Sequence, residues 1–256
     1  MQRIDLHVHT RLSKNFEFNE RVVGQLADLG QRRGLTGFAL TEHIHALDFW
    51  GMHDALQQSY RYSDGWYRMD NGVRMFSGCE VTVGERVDFI VVGELDEVRR
   101  LDESFSPRLS ESYFPPALEF LGRARGLDLL VISAHPYRGG KETAKLPLDR
   151  VFEQVDAIEV NGRDSGNDNE MKVAALAASF GKPVSGGSDA HYYLQVGIRS
   201  TVVPTEELTL ASIRRAFEER STKAHCKQYA RAVVEFCQEI KRVVKLRKEQ
   251  EATAAA

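Results

Sequence analysis

Short apolar and β-branched runs recur along the chain, bounded by turn residues and mostly separated by stretches of helical period, and this alternation limits the fold more than any other feature. Strands that alternate with helices bury both faces as repeated βα units around a parallel sheet. The runs fall at residues 3–9, 36–41, 74–83, 87–92, 129–133, 157–160 and 183–187, with a short last strand at 201–203. Helices are expected over 20–33, where Val22, Val23, Leu26 and Leu29 share a face and Gly34 lies past the end, and over 117–125, 169–180, 208–220 and 227–250. Residues 49–71 are aromatic and polar and read as a helix and a loop; 94–116 are charged, without a clear period, and read as an excursion that covers the site. No internal repeat or linker interrupts the pattern, so one domain over 1–256 is expected, with the barrel at 2–203 and C-terminal helices at 208–250.

The 256 residues are 42% hydrophobic and 28% charged, the composition of an ordinary soluble protein able to bury a full core. A net charge of −3 gives no electrostatic case for sequence-independent nucleic-acid binding, so no stable nucleic-acid complex is expected and small substrates are the simpler expectation. No run approaches the ~20 apolar residues of a membrane span, and no charged and apolar leader precedes Asp5, so a cytoplasmic location without membrane attachment is expected. Cys79, Cys226 and Cys237 show no C-x-x-C spacing and suggest neither a disulfide framework nor a zinc finger. The final helix carries Ala230, Val233, Cys237, Ile240 and Val244 as an apolar stripe that suits packing on the barrel or on a second copy. Its Lys241, Arg242, Lys245, Arg247 and Lys248 suit the negative end of the helix dipole.

The chemistry starts at Asp5-Leu6-His7-Val8-His9-Thr10. A side-chain period of two puts His7 and His9 on one face of a strand, within reach of one metal ion. His7/His9, His43, Glu80, His135 and Asp189/His191 all fall at C-terminal ends of expected strands, the face of a (β/α) barrel where active sites form. Imidazole with carboxylate suits zinc, manganese or iron rather than calcium. Two such ions can acidify a bridging water and stabilise charge on attacking and leaving oxygens, so no nucleophilic side chain is needed and Cys79 is read as buried packing.

In order, D-L-H-V-H-T, T-E-H, G-C-E-V, A-H-P, E-V-N-G-R and G-G-S-D-A-H make the chain resemble the PHP (polymerase and histidinol phosphatase) metallophosphoesterases over about residues 2–203. The resemblance implies an α/β fold, a distorted (β/α)7 TIM-like barrel, holding two or three divalent ions (Zn, Mn or Fe) and hydrolysing phosphate esters. It implies His7, His9, Glu80 and Asp189 at a first metal, Glu80 bridging to a second that takes His135, and His43 with His191 at a third. Two positions depart from the family pattern: Lys14 and Asn15 stand where relatives carry a third-metal ligand, with Glu17 a possible substitute, and the fourth strand offers Asp88 in place of a histidine. Asp189 or His191 could pass the proton to the leaving group, though ligation competes with that role. Glu42 and Asp5 are read as groups that orient ligand imidazoles. His45 and His53 could line the pocket.

Arg138, Lys141, Arg163 and Arg199 are the expected phosphate-binding side chains, since a guanidinium fork matches a pair of phosphate oxygens. Trp50, Tyr60, Trp66 and Tyr67 could stack on a ring but read more simply as core or cover. The substrate expected is a phosphorylated small metabolite or a nucleotide, with a homo-oligomer possible. The alternatives are an amidohydrolase-type enzyme cleaving C–N bonds, which also begins with H-x-H, and a non-catalytic module with a degenerate metal site.

Overall fold

A computed structural model describes residues 1–140, 143–164 and 166–254. In chain order its elements are β1 (Gln2–Val8), α1 (Glu20–Arg32), β2 (Gly37–Leu40), α2 (Phe49–Ser59), β3 (Tyr62–Ser63), β4 (Trp66–Arg68), β5 (Arg74–Thr82), β6 (Asp88–Gly93), α3 (Leu95–Glu103), α4 (Ala117–Ala124), β7 (Leu129–Ala134), α5 (Leu148–Gln154), β8 (Ala157–Asn161), α6 (Asn167–Ser179), β9 (Val184–Gly187), β10 (Arg199–Val203), α7 (Leu210–Glu218), β11 (Lys223–Cys226) and α8 (Ala230–Ala254).

The main sheet runs β11-β10-β1-β2-β5-β6-β7-β8-β9 and curls until the chain after β9 meets β1 again. There Asp189 N–H donates to His7 O at 2.8 Å and His9 N–H donates to Ala190 O at 2.8 Å. The result is the nearly closed α/β barrel expected from the sequence. The all-parallel expectation is corrected at one place that matters for the site: β6 is antiparallel to both β5 and β7. Only residues 83–87 separate β5 from β6, whereas a parallel crossover needs about a dozen residues. Reversal brings the start of β6, with Asp88, to the same rim as the ends of its neighbours.

Local chemistry explains most boundaries. Asn19 caps α1, its side chain accepting from Arg21 N–H at 3.1 Å, and Gly34 supplies the left-handed residue (φ 84°) beyond the helix. Residues 49–71 form α2 followed by the β3–β4 hairpin, where Tyr67 is buried and Trp66 lies under Arg74. The excursion at 94–116 contains α3, whose Leu95, Val98 and Leu101 are buried at three-residue spacing while buried Asp102 accepts from Trp50 Nε1 at 2.9 Å and from Ser110. The aromatic side chains named in the sequence are therefore core and cover. Beneath the rim, Phe76, Ile90, Val92, Leu130 and Ile132 pack with Leu208, Ile213 and Phe217 from around α7. The strand period puts Phe76 on the face of Glu80, and Ile90 and Val92 on the face of Asp88, so this apolar layer is the floor of the polar site. Among the described residues no helix is long and apolar enough to cross a membrane.

His53 belongs to this core rather than to the pocket. It is buried on α2, its Nδ1 2.9 Å from Tyr67 Oη, with Phe49 and Trp50 around its ring. Burial holds its pKa down to about 3, below the ordinary histidine value. Because the folded state resists the proton and the unfolded state takes it up near pH 6.5, stability is full above that pH and falls as acid is added. Between pH 7 and 5 His53 is expected to cost about 2 kcal/mol. Urea unfolding at the two pH values checks this: the parent should lose more stability than His53→Gln, and equal losses would show that His53 does not carry the acid sensitivity.

Candidate metal centre

The rim gathers His7 and His9 from β1, Glu42 and His43 from the turn after β2, Glu80 from β5, Asp88 from β6, His135 after β7, Glu159 and Asn161 from β8, and Asp189 and His191 after β9. All except His43 and His191, which are partly buried, are 3% exposed or less, far below the exposure usual for carboxylates. Two of them sit in left-handed backbone, His135 at φ 30° and Asp189 at φ 53°, a strain found where surrounding contacts hold a functional side chain in place. Gly187 is required for this assembly. A Cβ there would lie 2.4 Å from Glu159 Oε1 and 2.5 Å from His7 Cβ, so G-G-S-D-A-H needs its second glycine for Glu159 to reach β1.

Glu80 stands at the centre. Its Oε1 is 3.0 Å from His135 Nε2 and 3.6 Å from His7 Nε2; its Oε2 is 2.9 Å from His43 Nδ1 and 3.5 Å from His9 Nε2. The contact with His43 is an ion pair that falls short of hydrogen-bonding geometry. Asp189 Oδ1 lies 3.8 Å from His7 Nε2, 3.5 Å from His9 Nε2 and 3.0 Å from His191 Nδ1. Asp88 Oδ2 is 3.6 Å from His135 Nε2, where the sequence left the second metal short of a histidine. Four overlapping groups, His7/His9/Glu80, His7/His135/Asp189, Glu80/Asp88/His135 and His9/His43/His191, each keep their donor atoms within 4.8 Å of one another.

Protonation tests whether a cation fits. His7 Nδ1 donates to Glu159 Oε1 at 2.9 Å and His9 Nδ1 to Glu42 Oε1 at 3.2 Å, which in the neutral imidazoles leaves both Nε2 atoms as lone pairs. Those two atoms face each other at 3.1 Å, a repulsive arrangement unless a proton or a metal ion lies between them. Burial pushes His7 down, but Glu159, Asp189 and Glu80 outweigh it and raise it well above the ordinary histidine value; burial lowers His9. Despite burial, His43 and His7 hold Glu80 well below the usual carboxylate range, and Arg138, Arg163 and His7 do the same for Asp189. Buried anions facing bare imidazole nitrogens fit divalent cations.

The phosphate-binding expectations divide. Arg138 Nη1 lies 2.7 Å from Asp189 Oδ2 and Arg163 Nη1 3.3 Å from the same oxygen, so both reach the cluster; Arg138 is further fixed by Asp164 and Asn161. Arg199 does not reach it: the side chain is buried and its guanidinium pairs with Glu170 of α6. Lys141 lies outside the described residues. Glu17 is exposed and belongs to none of the ligand groups. His45 lies tilted against His43 and edge-on to Phe114 and meets Lys14 Nζ at 3.1 Å, also outside those groups. Cys79 is buried and burial pushes its thiol well up, consistent with packing.

Two positioning roles differ from the sequence reading. Glu42 does orient His9, but Asp5 braces backbone instead, accepting from Ser188 N–H at 2.8 Å and Gly197 N–H at 2.7 Å. The carboxylate that orients His7 is Glu159, which also accepts from His135 N–H and Asn161 Nδ2 at 3.0 Å each. Its signal was present in E-V-N-G-R, a charged residue inside an otherwise apolar strand.

A family profile described as PHP-associated matches residues 167–222, the span that contains Asp189 and His191. Over 210 residues the chain is 30% identical to a protein of Syntrophotalea carbinolica named a probable phosphatase, an alignment covering 73% of this chain and 80% of that one. The chain belongs to the PHP family of metal-dependent phosphoesterases. Solved structures share the fold. PsfC from Pseudomonas syringae superposes with a TM-score of 0.77 at 24% identity, over 95% of this chain and 100% of that one. The lesion-specific endonuclease PfuEndoQ from Pyrococcus furiosus superposes with a TM-score of 0.69 at 22% identity, over 87% of this chain but 57% of the endonuclease. As a PHP enzyme the chain is a hydrolase whose His, Asp and Glu clusters suit divalent metal ions.

Proposed function

We propose that this PHP enzyme is a phosphatase that removes a terminal phosphoryl group from a small phosphorylated metabolite or nucleotide. The observation that carries this reading is the pair Arg138 and Arg163 converging on Asp189 Oδ2 beside the Glu80-centred cluster. Two guanidiniums next to a divalent-cation site suit the doubly charged phosphate of a monoester better than the single charge of a diester. His7, His9, Glu80 and Asp189 would hold one ion, Glu80, His135 and Asp88 a second, and His9, His43 and His191 offer a third. Zn, Mn or Fe bound there would supply Lewis-acid charge and an acidified water.

The protein's own groups do the rest. Glu159 and Glu42 keep His7 and His9 in the tautomer that presents Nε2. Arg138, anchored by Asp164, and Arg163 orient the phosphoryl oxygens. Asp189, flanked by both guanidiniums, stays ionised and would serve as ligand, while His191, at the edge of the cluster, would be the member of the pair that passes the proton to the leaving oxygen.

Hydrolysis of an aryl phosphate monoester and its matching diester by chelator-stripped protein, with and without Mn²⁺ or Zn²⁺, tests this reading. Added metal is expected to restore monoester turnover in the parent and not in His7→Ala. Faster cleavage of the diester, or of a duplex oligonucleotide carrying an abasic site, would replace the small-molecule reading with a nucleic-acid one. Metal binding with no cleavage of any ester would move C–N substrates forward, and no metal binding would leave a non-catalytic module.

A further inference from the structure

The C-terminal helix brings a cation to the edge of the metal centre. Ala230, Val234 and Cys237 of α8 are buried, and Lys241 lies one helical turn beyond Cys237 on the same face. Cys237, Gln238 and Lys241 line a narrow cleft with Leu12, Arg163 and His191. His191 belongs to the ligand cluster, so the cleft is continuous with the site.

Two cations share this cleft, and the carboxylate near both, Asp189, is already held by Arg138. Among the described residues Arg163 has one carboxylate contact, 3.3 Å from Asp189 Oδ2, and Arg138 already holds that oxygen at 2.7 Å. Among the described residues Lys241 makes no hydrogen bond and no ion pair. A lysine on the outer face of a helix needs neither, since water solvates it, but this one is partly buried. Burial, with Arg163 and Lys245 adding repulsion that Asp189 and Glu42 only partly offset, pushes its ammonium down to about 8. Keeping an ammonium and a guanidinium together away from bulk water is unfavourable until a negative group enters between them.

We propose that Arg163 and Lys241 form an anion subsite for a second charged group of the substrate, a carboxylate or a further phosphate carried on its alcohol portion. This rests on the phosphatase reading for what happens at the metals and deepens it: the substrates favoured are phosphate esters with a second anion, and esters of neutral alcohols leave the subsite unused. The helix-dipole account of the basic C-terminus does not cover Lys241, whose neighbours are in the cleft.

The test reads binding, so that it does not depend on turnover. Short alkylphosphonates, whose C–P bond resists hydrolysis, are titrated calorimetrically into Mn²⁺-loaded full-length protein beside carboxyalkylphosphonates of the same length. The parent is expected to bind the carboxylated compounds about tenfold more tightly, the scale of one charge-assisted contact. Lys241→Met should abolish most of that preference and leave plain alkylphosphonate affinity unchanged; Lys241→Arg should retain it. No preference in the parent, or equal weakening of both ligands by Lys241→Met, would overturn the subsite. A retained preference in a protein that cleaves no phosphate ester would overturn the phosphatase reading and leave the subsite standing.

Discussion

Asp189→Asn is expected to lower metal-supported turnover about a thousandfold, the equivalent of about 4 kcal/mol of transition-state stabilisation. Asparagine is the informative replacement because it has nearly the same shape and tolerates the left-handed backbone at φ 53°, where alanine would be strained. The change removes a charge with five neighbours: His7 Nε2, His9 Nε2 and His191 Nδ1 at 3.8, 3.5 and 3.0 Å from Oδ1, and the Arg138 and Arg163 guanidiniums on Oδ2. A neutral amide is a weaker ligand, and it leaves two cations facing the cluster that binds cations. Metal stoichiometry by elemental analysis should therefore fall together with turnover, while circular dichroism stays that of the parent. Turnover within tenfold of the parent, at full metal loading, would rule Asp189 out as a ligand.

The donor set was legible because it is local. A strand period of two fixes the His7/His9 pair, and the rule that barrel sites form at strand ends brings His43, Glu80, His135, Asp189 and His191 to one rim from distant positions. The structure places each of them there. What stayed hidden depended on relations that no single segment carries. The direction of β6 was recoverable from the short 83–87 connection, but the alternating pattern of the rest of the chain overrode it. The α3 helix was masked because its polar residues obscure the Leu95/Val98/Leu101 spacing, and buried Asp102 on that face serves Trp50 and Ser110. Arg199 and Arg163 look alike as loop-end arginines; only the fold shows that one turns to Glu170 and the other to Asp189. Lys241 is farther still from any motif. Its position follows from how α8 docks through Ala230, Val234 and Cys237, a tertiary contact with no local signature.

Glu159→Gln is expected to reduce metal affinity and activity by about 10- to 100-fold without touching a direct ligand contact. The reason is a count of donors and acceptors. Glu159 receives three N–H groups, from His7 Nδ1 on Oε1 and from His135 N and Asn161 Nδ2 on Oε2, and an ionised carboxylate is the one common side chain that accepts on both atoms. An amide has a single acceptor oxygen. If that oxygen faces His7, the NH2 group meets the His135 and Asn161 donors, and the strained backbone of His135 loses the bond that holds it. In the other orientation the NH2 group faces His7 Nδ1, which must then become the acceptor, and the proton moves to Nε2, the atom that faces His9 at 3.1 Å. Either way one of the imidazoles presented to the cation is misplaced or blocked. Competition with a chelator of known affinity reads the first effect and kcat/KM at saturating metal reads the second. Because buried Glu159 is held ionised by His7 and His135 against the burial that opposes it, Glu159→Asp should recover less than the charge alone suggests, the shorter side chain being unable to span both histidines. Unchanged metal affinity in Glu159→Gln would mean that the β1 strand alone fixes His7, and that Glu159 serves only the packing around Gly187.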